Sequence, residues 1–225
     1  MRRGGGSRAL RLAAATAVLL VVLLVLAQLL LPRLAASRIS SKLSRYGSVA
    51  HVSVSAWPAV ELLWGDAGSV SVRARRLSLA PAQAASLLWE GRGVGKLEMS
   101  AQALRLGSLT LTGARLSGHG GQLEASARTT QAAAEAALGA GIGVRLLSSS
   151  GGRVRVEVSG SLFGVGAALP AVAEADHGAL VAHPEGLLEG FRLTLFSDRH
   201  VHVEGVEAAQ AGAGAYRLRM TALLR

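Results

Sequence analysis

The sequence contains no cysteine and few aromatic residues. Without thiols the chain cannot form disulfides, cannot bind a metal through thiolates and has no cysteine nucleophile. It has three Trp, two Tyr and three Phe among 225 residues, which is little aromatic surface for stacking nucleic-acid bases. These shortages exclude disulfide-stapled folds and cysteine enzymes, and they disfavour base-stacking proteins.

Acidic residues are missing from the first part of the chain, since none precedes Glu61. The net charge of +10 therefore comes mostly from eight basic residues in the first sixty positions. The other 16 basic and 14 acidic residues leave the remainder of the chain at only +2. A nucleic-acid-binding domain carries its basic patch on the folded surface. The charge distribution thus argues against nucleic acid as a partner.

An apolar run occupies residues 13–31, AAATAVLLVVLLVLAQLLL, in which Gln28 is the one strongly polar residue. As a helix this run extends about 28 Å, close to the roughly 30 Å hydrocarbon core of a bilayer. It predicts an uncleaved transmembrane signal anchor. A cleaved signal peptide is the alternative, but neither residues 25–27 nor residues 34–36 make a good small-x-small cleavage site.

Basic residues flank this run on both sides, so the positive-inside rule is nearly balanced. Four arginines precede the run in residues 1–12, and Arg33, Arg38, Lys42 and Arg45 follow it. A short cationic leader before a first span is typical of a signal anchor. We therefore expect a cytoplasmic leader at residues 1–12 and a C-terminal domain outside the cytoplasm, in the cell envelope.

An amphipathic juxtamembrane helix is predicted over residues 32–46. Its aliphatic residues fall roughly on one helical face, and Arg38, Lys42 and Arg45 fall on another. One interpretation is a helix at an anionic lipid surface, with Arg33 and these three cations on the headgroups. The other is the first helix of the folded domain with a solvated basic face, and the two are compatible.

Beyond Gly47 the hydrophobic period changes to two, so residues 47–225 are expected to form an antiparallel β-rich domain. Alternating apolar and polar residues indicate strands with one dry and one wet face, whereas buried parallel strands are apolar throughout. The clearest runs lie at residues 52–54, 70–74, 97–101, 109–112, 123–128, 153–158, 191–195, 200–204 and 216–220.

Two runs change phase by one residue, at Arg75–Arg76 and between Ala103 and Leu104. A one-residue slip moves the following side chains to the other face of a strand, so bulges or strong bends are expected at both places. Long bent strands of this kind curl around other elements. Two helices are predicted among the strands, over residues 81–90 and 129–138.

Signatures of common catalytic and phosphate-binding sites are absent from the sequence, which has no G-x-S-x-G, Walker A or H-E-x-x-H motif. One polar stripe, Asp198, His200, His202 and Glu204, alternates along a predicted strand and is a candidate Zn²⁺ or acid–base site. Valines alternate with the stripe on the core side, so a solvated face explains it better. We expect no catalytic residue, no metal and no cofactor.

The inward phase of the strands is rich in Leu, Val and Ala and carries hardly any charge. Small aliphatic linings leave room for a groove, and lipid pockets are concave and mostly apolar. An ordinary close-packed sandwich core has the same periodicity. The pattern by itself leaves these two interpretations even.

The segment Val52 to Gly65, VSVSAWPAVELLWG, leads into the next predicted strand. It resembles the actinobacterial LmeA-type phospholipid-binding family, in which a strand leads into aromatic-Pro-x-aliphatic-x-x-Leu-x-Gly. Here Trp57-Pro58 stands in place of the usual Phe-Pro, while Leu63 and Gly65 keep the spacing. The order of elements agrees over residues 33–225, although only residues 57–65 are specific.

The resemblance implies a mainly β, TULIP-like module, in which a long curved antiparallel sheet wraps around one or two helices and encloses an apolar groove for acyl chains. It implies phospholipid binding in the cell envelope and support of envelope lipid assembly or maintenance. The residues that it implicates are Trp57, Pro58, Val60, Leu62, Leu63, Trp64 and Gly65. The two tryptophans suit a groove mouth or a membrane interface, or equally a role as core anchors.

Together these patterns predict a membrane-anchored extracytoplasmic protein that holds phospholipid acyl chains and is not an enzyme. Its expected partners are a phospholipid or another acyl-chain lipid and the membrane, with no nucleic acid. The alternative is a non-catalytic structural or adaptor module with a filled core, which would dock envelope proteins through its sheet edges. A metal-dependent hydrolase using the stripe at residues 198–204 is the third hypothesis.

Overall fold

The computed structural model describes residues 31, 33–55, 67–162, 165–186 and 190–225. Its helices are α1 (residues 33–43), α2 (Pro81–Glu90) and α3 (Gln131–Leu138), and a 3-10 turn at Ser44–Tyr46 follows α1. The strands are β1 (Gly47–Ser55), β2 (Ala67–Leu79), β3 (Val94–Leu106), β4 (Leu109–His119), β5 (Gln122–Thr130), β6 (Ile142–Ser150), β7 (Arg153–Leu162), β8 (Val165–Asp176), β9 (Ala179–Pro184), β10 (Leu193–Phe196), β11 (Val201–Gly212) and β12 (Ala215–Leu224).

The prediction of a mainly β domain is confirmed, but the strands form two sheets in place of the single long sheet that the family resemblance implied. The larger has seven strands in the order β1-β2-β3-β4-β5-β12-β11, and the smaller has five in the order β10-β9-β8-β7-β6. The free edge of β11 meets hairpin turns of the smaller sheet. There the N–H groups of Val203 and Val206 donate to the carbonyls of Gly178 and Gly152, at 2.9 and 3.3 Å. Backbone hydrogen bonds therefore join the two sheets.

One strand pair departs from the predicted antiparallel arrangement, because β2 and β3 are parallel. The reason is α2, which lies between them in the chain and returns it to the starting end of the sheet. A parallel pair requires such a crossover. The seven-stranded sheet is therefore mixed, whereas every pair of the five-stranded sheet is antiparallel.

The predicted phase slips are confirmed as changes of burial phase in β2 and β3 that leave the pairing of these two strands in register. Strands β2 and β3 slip together, so Ala74 pairs with Ala101 before the slip and Arg76 pairs with Ala103 after it. The pairing of β4 with β5 shifts between Thr112 and Arg115, and the pairing of β1 with β2 shifts between residues 48 and 51. The apolar face is thereby kept on one side of the sheet.

Both helices predicted within the domain are present. Helix α2 has Pro81 at its first position, and the Gln83 side chain accepts a hydrogen bond of 2.9 Å from the Ala80 N–H. In α3 the side chain of Thr130 caps the helix by accepting from the Ala133 N–H at 3.1 Å. Helix α3 starts two residues later than predicted because Thr129 and Thr130 complete β5.

Three strands of the smaller sheet, β6, β8 and β9, lack the alternation of apolar and polar residues from which the other strands are predicted. Their sequences are rich in Ala, Gly and Ser, for example VGAALPAVAEAD in β8. Alanine and glycine give little contrast between a dry and a wet face, so tertiary pairing determines these strands. Phe191 was predicted to begin a strand, but β10 begins at Leu193 and Phe191 is 77% exposed.

No helix in the described ranges is long and apolar enough to span a bilayer. The run predicted to do so, residues 13–31, lies outside the described residues except for Leu31. The leader at residues 1–12 lies outside them as well. The membrane span therefore stays a prediction.

Candidate functional site

The apolar face of the seven-stranded sheet is covered at one end by α1 and α2. Buried Val70, Val72 and Leu97 form a core cluster there with Leu43, which is 4% exposed at the end of α1. Half-buried side chains of α1 and α2, including Ile39 and Leu87, pack against this cluster. Helix α1 is thus part of the folded domain.

A cavity of about 470 Å³ lies between α1, α2 and strands β1 to β3. This volume is within the roughly 300–1,000 Å³ of small-molecule sites. Most of its lining is aliphatic, with side chains that include Ile39, Leu43, Val54, Leu87, Val94 and Met99. The cavity favours the groove interpretation of the inward face over a filled core.

Charged groups on the cavity lining come from α1 and from the end of α2. They are Arg38, Lys42 and Glu90, and Lys42 forms an ion pair with Glu90. Arg38 and Leu34 are exposed at the same rim, and Leu34 is 58% exposed. No ion pair involves Arg38 among the described residues. An aliphatic interior with a guanidinium at its rim suits a ligand with an apolar chain and an anionic group.

The residues predicted at a membrane surface all lie on or just after α1. Arg33, Arg38 and Arg45 are exposed, whereas Lys42 reaches Glu90 of α2. Lys42 is thus engaged within the domain, and the packing of Leu43 and Ile39 supports the interpretation of α1 as its first helix. Contact of the arginines with lipid headgroups stays a prediction.

The seven residues implicated by the family resemblance, from Trp57 to Gly65, lie outside the described residues. The strands on either side of them, β1 and β2, belong to the described residues. Val54, near the end of β1, and Ala67, at the start of β2, both line the cavity. The motif therefore connects two strand ends at the cavity, and its own contacts with a ligand stay a prediction.

The polar stripe at residues 198–204 is divided between different surroundings. Asp198 accepts a hydrogen bond of 2.8 Å from the His200 N–H, and the His200 ring stacks on Trp89 of α2 with 4.2 Å between centroids. The Arg92 guanidinium carbon lies 4.3 Å from the centroid of the same Trp ring. These contacts attach the C-terminal end of α2 to the start of β11.

The other two residues of the stripe point elsewhere. The His202 ring lies so close to Gly178 that an added Cβ at the glycine would collide with it, and Glu204 is exposed. No group of three His, Asp or Glu side chains able to hold a metal occurs within the described part of the chain. Asp198, His200 and His202 are half-buried, so the predicted solvated face is present only at Glu204.

The smaller sheet has one ionic face. Its ion pairs are Arg145–Glu157 at 2.9 Å, Arg153–Glu174 at 2.6 Å, Arg155–Glu185 at 2.5 Å and Arg192–Asp176 at 2.5 Å. Desolvation by itself would raise the pKa of Asp176. The hydrogen bonds and positive charges of His177 and Arg192 outweigh it, so the pKa of Asp176 is lowered.

This pKa predicts a pH-dependent contribution to stability. A carboxyl with a lowered folded-state pKa stabilises the fold above its ordinary pKa of about 4 and loses that contribution as the pH falls through the folded-state value. Asp176→Asn should therefore lower the melting temperature slightly at neutral pH and leave it unchanged near pH 2. Thermal unfolding at both pH values measures this, and an equal shift at both would contradict it.

The amino-acid sequence points to the same class of ligand as the cavity does. It matches the LmeA-like phospholipid-binding family over residues 23–219. The chain belongs to the LmeA-like phospholipid-binding family. No curated protein and no solved structure matches it. The match includes α1, both sheets and the cavity, so the domain that this family shares contains the candidate site.

The residues that line the cavity are not distinguished by the sequence pattern. Val54, Leu87 and Met99 were recognisable as apolar positions, but nothing in their spacing separated them from filled core positions. Whether space remains between facing elements depends on how far α1 and α2 stand from the sheet. That separation depends on all the side chains between them.

Proposed function

We propose that this protein binds a phospholipid and holds an acyl chain in the cavity between α1, α2 and strands β1 to β3. The observation that carries the proposal is the aliphatic cavity of about 470 Å³ in a chain of the LmeA-like phospholipid-binding family. Each methylene withdrawn from water contributes about 0.8 kcal/mol. An acyl chain therefore gains binding energy along its whole buried length.

The charged rim determines the orientation of the bound lipid in the cavity. Arg38 and Leu34 are exposed on one side of the cavity, and Ile39 and Leu43 lie deeper on the same helix. A phosphate at Arg38 accepts charge-assisted hydrogen bonds from the guanidinium while the acyl chain extends toward Met99. The role is holding or presenting the lipid, with no catalytic step.

We further infer a membrane anchor at residues 13–31, a cytoplasmic N-terminus and a lipid-binding domain in the cell envelope. Support comes from the length of the apolar run and the short cationic leader. Because α1 follows this run directly, the rim of the cavity lies near the membrane that holds the anchor. In this arrangement the domain takes up lipid there and supports envelope lipid assembly or maintenance.

The test is direct detection of the lipid. Full-length protein is purified in a mild detergent, washed extensively and extracted with organic solvent for mass spectrometry. We expect stoichiometric phospholipid and uptake of a fluorescent phospholipid by delipidated protein. Lipid-free protein that also fails to take up the fluorescent lipid would refute the proposal and favour the adaptor hypothesis.

The anchor needs a separate measurement. Protease protection in intact cells and in inverted membranes reports the side on which the domain lies. We expect cleavage of residues 47–225 only from the extracytoplasmic side. Cleavage from the cytoplasmic side would overturn the envelope location without affecting the lipid-binding proposal.

A further inference from the structure

The polar face of the seven-stranded sheet, opposite the cavity, carries a group of arginines that the sequence does not bring together. Strand pairing aligns Arg76, Ala103, Thr112, Arg128 and Arg217 in one row across five strands. Further arginines lie in or beside the neighbouring rows. We call this group the arginine face, and its members are Arg75, Arg76, Arg105, Arg115, Arg128 and Arg217.

Two members of the arginine face sit directly opposite each other. Arg128 of β5 pairs in register with Arg217 of β12. Like charges at such positions have Cβ atoms about 5 Å apart and destabilise a sheet. Arg115 pairs with Ser126, two residues from Arg128, so a third guanidinium lies on the adjacent diagonal. A partner that brings negative charge relieves this repulsion.

Three carboxylates of this sheet face, Glu98, Glu124 and Glu207, form ion pairs with cations outside the arginine face. Glu98 pairs with Lys96 at 2.9 Å, and hydrogen bonding and charge from Lys96 lower the Glu98 pKa. Arg219 lies 3.4 Å from Glu124 and 3.8 Å from Glu207. Among the described residues, no ion pair involves any member of the arginine face. Its positive charge is therefore available to an external partner.

The arginine face is broad, as a planar partner requires. It extends from β2 to β12, which is four strand spacings or about 19 Å. A hollow of about 370 Å³ adjoins it at Arg115. Its lining includes Arg73, the serines Ser100, Ser117 and Ser126, and the carboxylates of Glu98 and Glu124. Guanidinium and hydroxyl groups together suit phosphate headgroups. A binding site for a soluble, chain-like polyanion would instead have its cations in a single line along a groove.

The arginine face also lies far from the start of α1. Leu31, just before α1, lines the same cavity as Ala67 and Val94, which lie at the beginning of β2 and β3. Arg76 and Arg105 come nine and eleven residues later on these strands, which is about 30–36 Å measured along the strands. A bilayer in contact with the arginine face is therefore a different surface from the one beside α1.

We propose that the arginine face docks the domain on an apposed bilayer that contains anionic phospholipids. This proposal rests on the proposed function in that a lipid-holding domain needs a membrane to exchange lipid with. Docking is electrostatic, so it weakens as ionic strength rises above about 0.1 M. Pure zwitterionic bilayers do not support it.

The experiment uses full-length protein with its apolar N-terminus held in nanodiscs of phosphatidylcholine. Binding of these nanodiscs to separate vesicles is measured by flotation, with vesicles of phosphatidylcholine alone or mixed with phosphatidylglycerol. The test variant is Arg128→Gln/Arg217→Gln. The matched control, Arg145→Gln/Arg155→Gln, removes the same charge from the ionic face of the smaller sheet. Thermal unfolding checks that both variants are folded.

We expect docking only on the mixed vesicles, reduced about 30-fold in the test variant, because each arginine near an anionic surface contributes about fivefold. The control variant should dock like the unchanged protein. Equal loss in both variants, or docking on phosphatidylcholine alone, would overturn the proposal. Tighter binding of polyphosphate than of mixed vesicles would reassign the face to a soluble polyanion.

The same samples separate this proposal from the proposed function. Bound phospholipid is measured by mass spectrometry in the unchanged protein and in both variants. Loss of docking with bound lipid retained is the expected pair of results. Docking by a protein that contains no lipid and takes none up would refute the proposed function alone.

Discussion

Replacing Met99 by tryptophan is expected to remove most of the bound phospholipid while the domain stays folded. Met99 is half-buried on β3 and lines the cavity, so the larger indole ring has space to enter it. If the ring displaces three methylenes of an acyl chain, the loss of about 2.4 kcal/mol corresponds to roughly 50-fold weaker binding. Mass spectrometry of the purified variant measures the lipid content.

The matched control is Gln102→Trp, which adds the same ring to an exposed position of the same strand. It should leave the lipid content unchanged, and lipid that merely surrounds the membrane segment would be equal in both proteins. In a filled core, Met99→Trp would instead cost about 1–3 kcal/mol of stability. Normal lipid content in a destabilised Met99→Trp protein would therefore argue for the adaptor hypothesis.

The second large effect is expected from Val201→Asp, which should unfold the domain or lower its stability by at least about 3 kcal/mol. Val201 is 1% exposed and forms a core cluster with Ala85 of α2, Leu123 of β5 and Ala222 of β12. A carboxylate there has no cation in the cluster to pair with it. Domains of this size have about 5–15 kcal/mol of total stability, so the loss is severe. Urea unfolding followed by circular dichroism measures it.

Gln210→Asp serves as the control for this substitution because Gln210 is exposed on the same strand, β11. Exposed substitutions usually change stability by less than about 0.5 kcal/mol. A similar effect at both positions would show that β11 itself tolerates no aspartate. A mild effect at Val201 would contradict the assignment of this cluster as the core that joins α2 to β11.

Strand patterns in the larger sheet were predictable because one face is dry and the other wet. Val70 and Val72 alternate with polar residues on β2, and the predicted change of phase at Arg75–Arg76 is present in the burial of that strand. The smaller sheet was harder, since β8 is largely alanine and glycine and has little periodic contrast. The parallel pairing of β2 and β3 followed from the path of α2, which strand alternation does not record.

The candidate site was predictable in kind but not in position. Residues 57–65 carried the family resemblance, and they follow β1, one of the strands that line the cavity. The cavity itself is formed by residues of α1, α2 and β3, such as Ile39, Leu87 and Met99. Their separation in sequence hides their proximity, because the crossover through α2 and the packing of α1 bring them together.

Alternation determined the mainly β class and the apolar inward face, and the motif at residues 57–65 carried the family resemblance, because these depend on residue type and local spacing. The composition also showed a domain that is nearly neutral beyond Glu61. The tertiary structure decided how that charge is distributed. Strand pairing gathers Arg76, Arg128 and Arg217 on one face, while most acidic residues of the smaller sheet pair with their own arginines. The net charge is a sum over all residues of the chain. The electric field at the surface depends instead on which charged residues the strand pairing brings together.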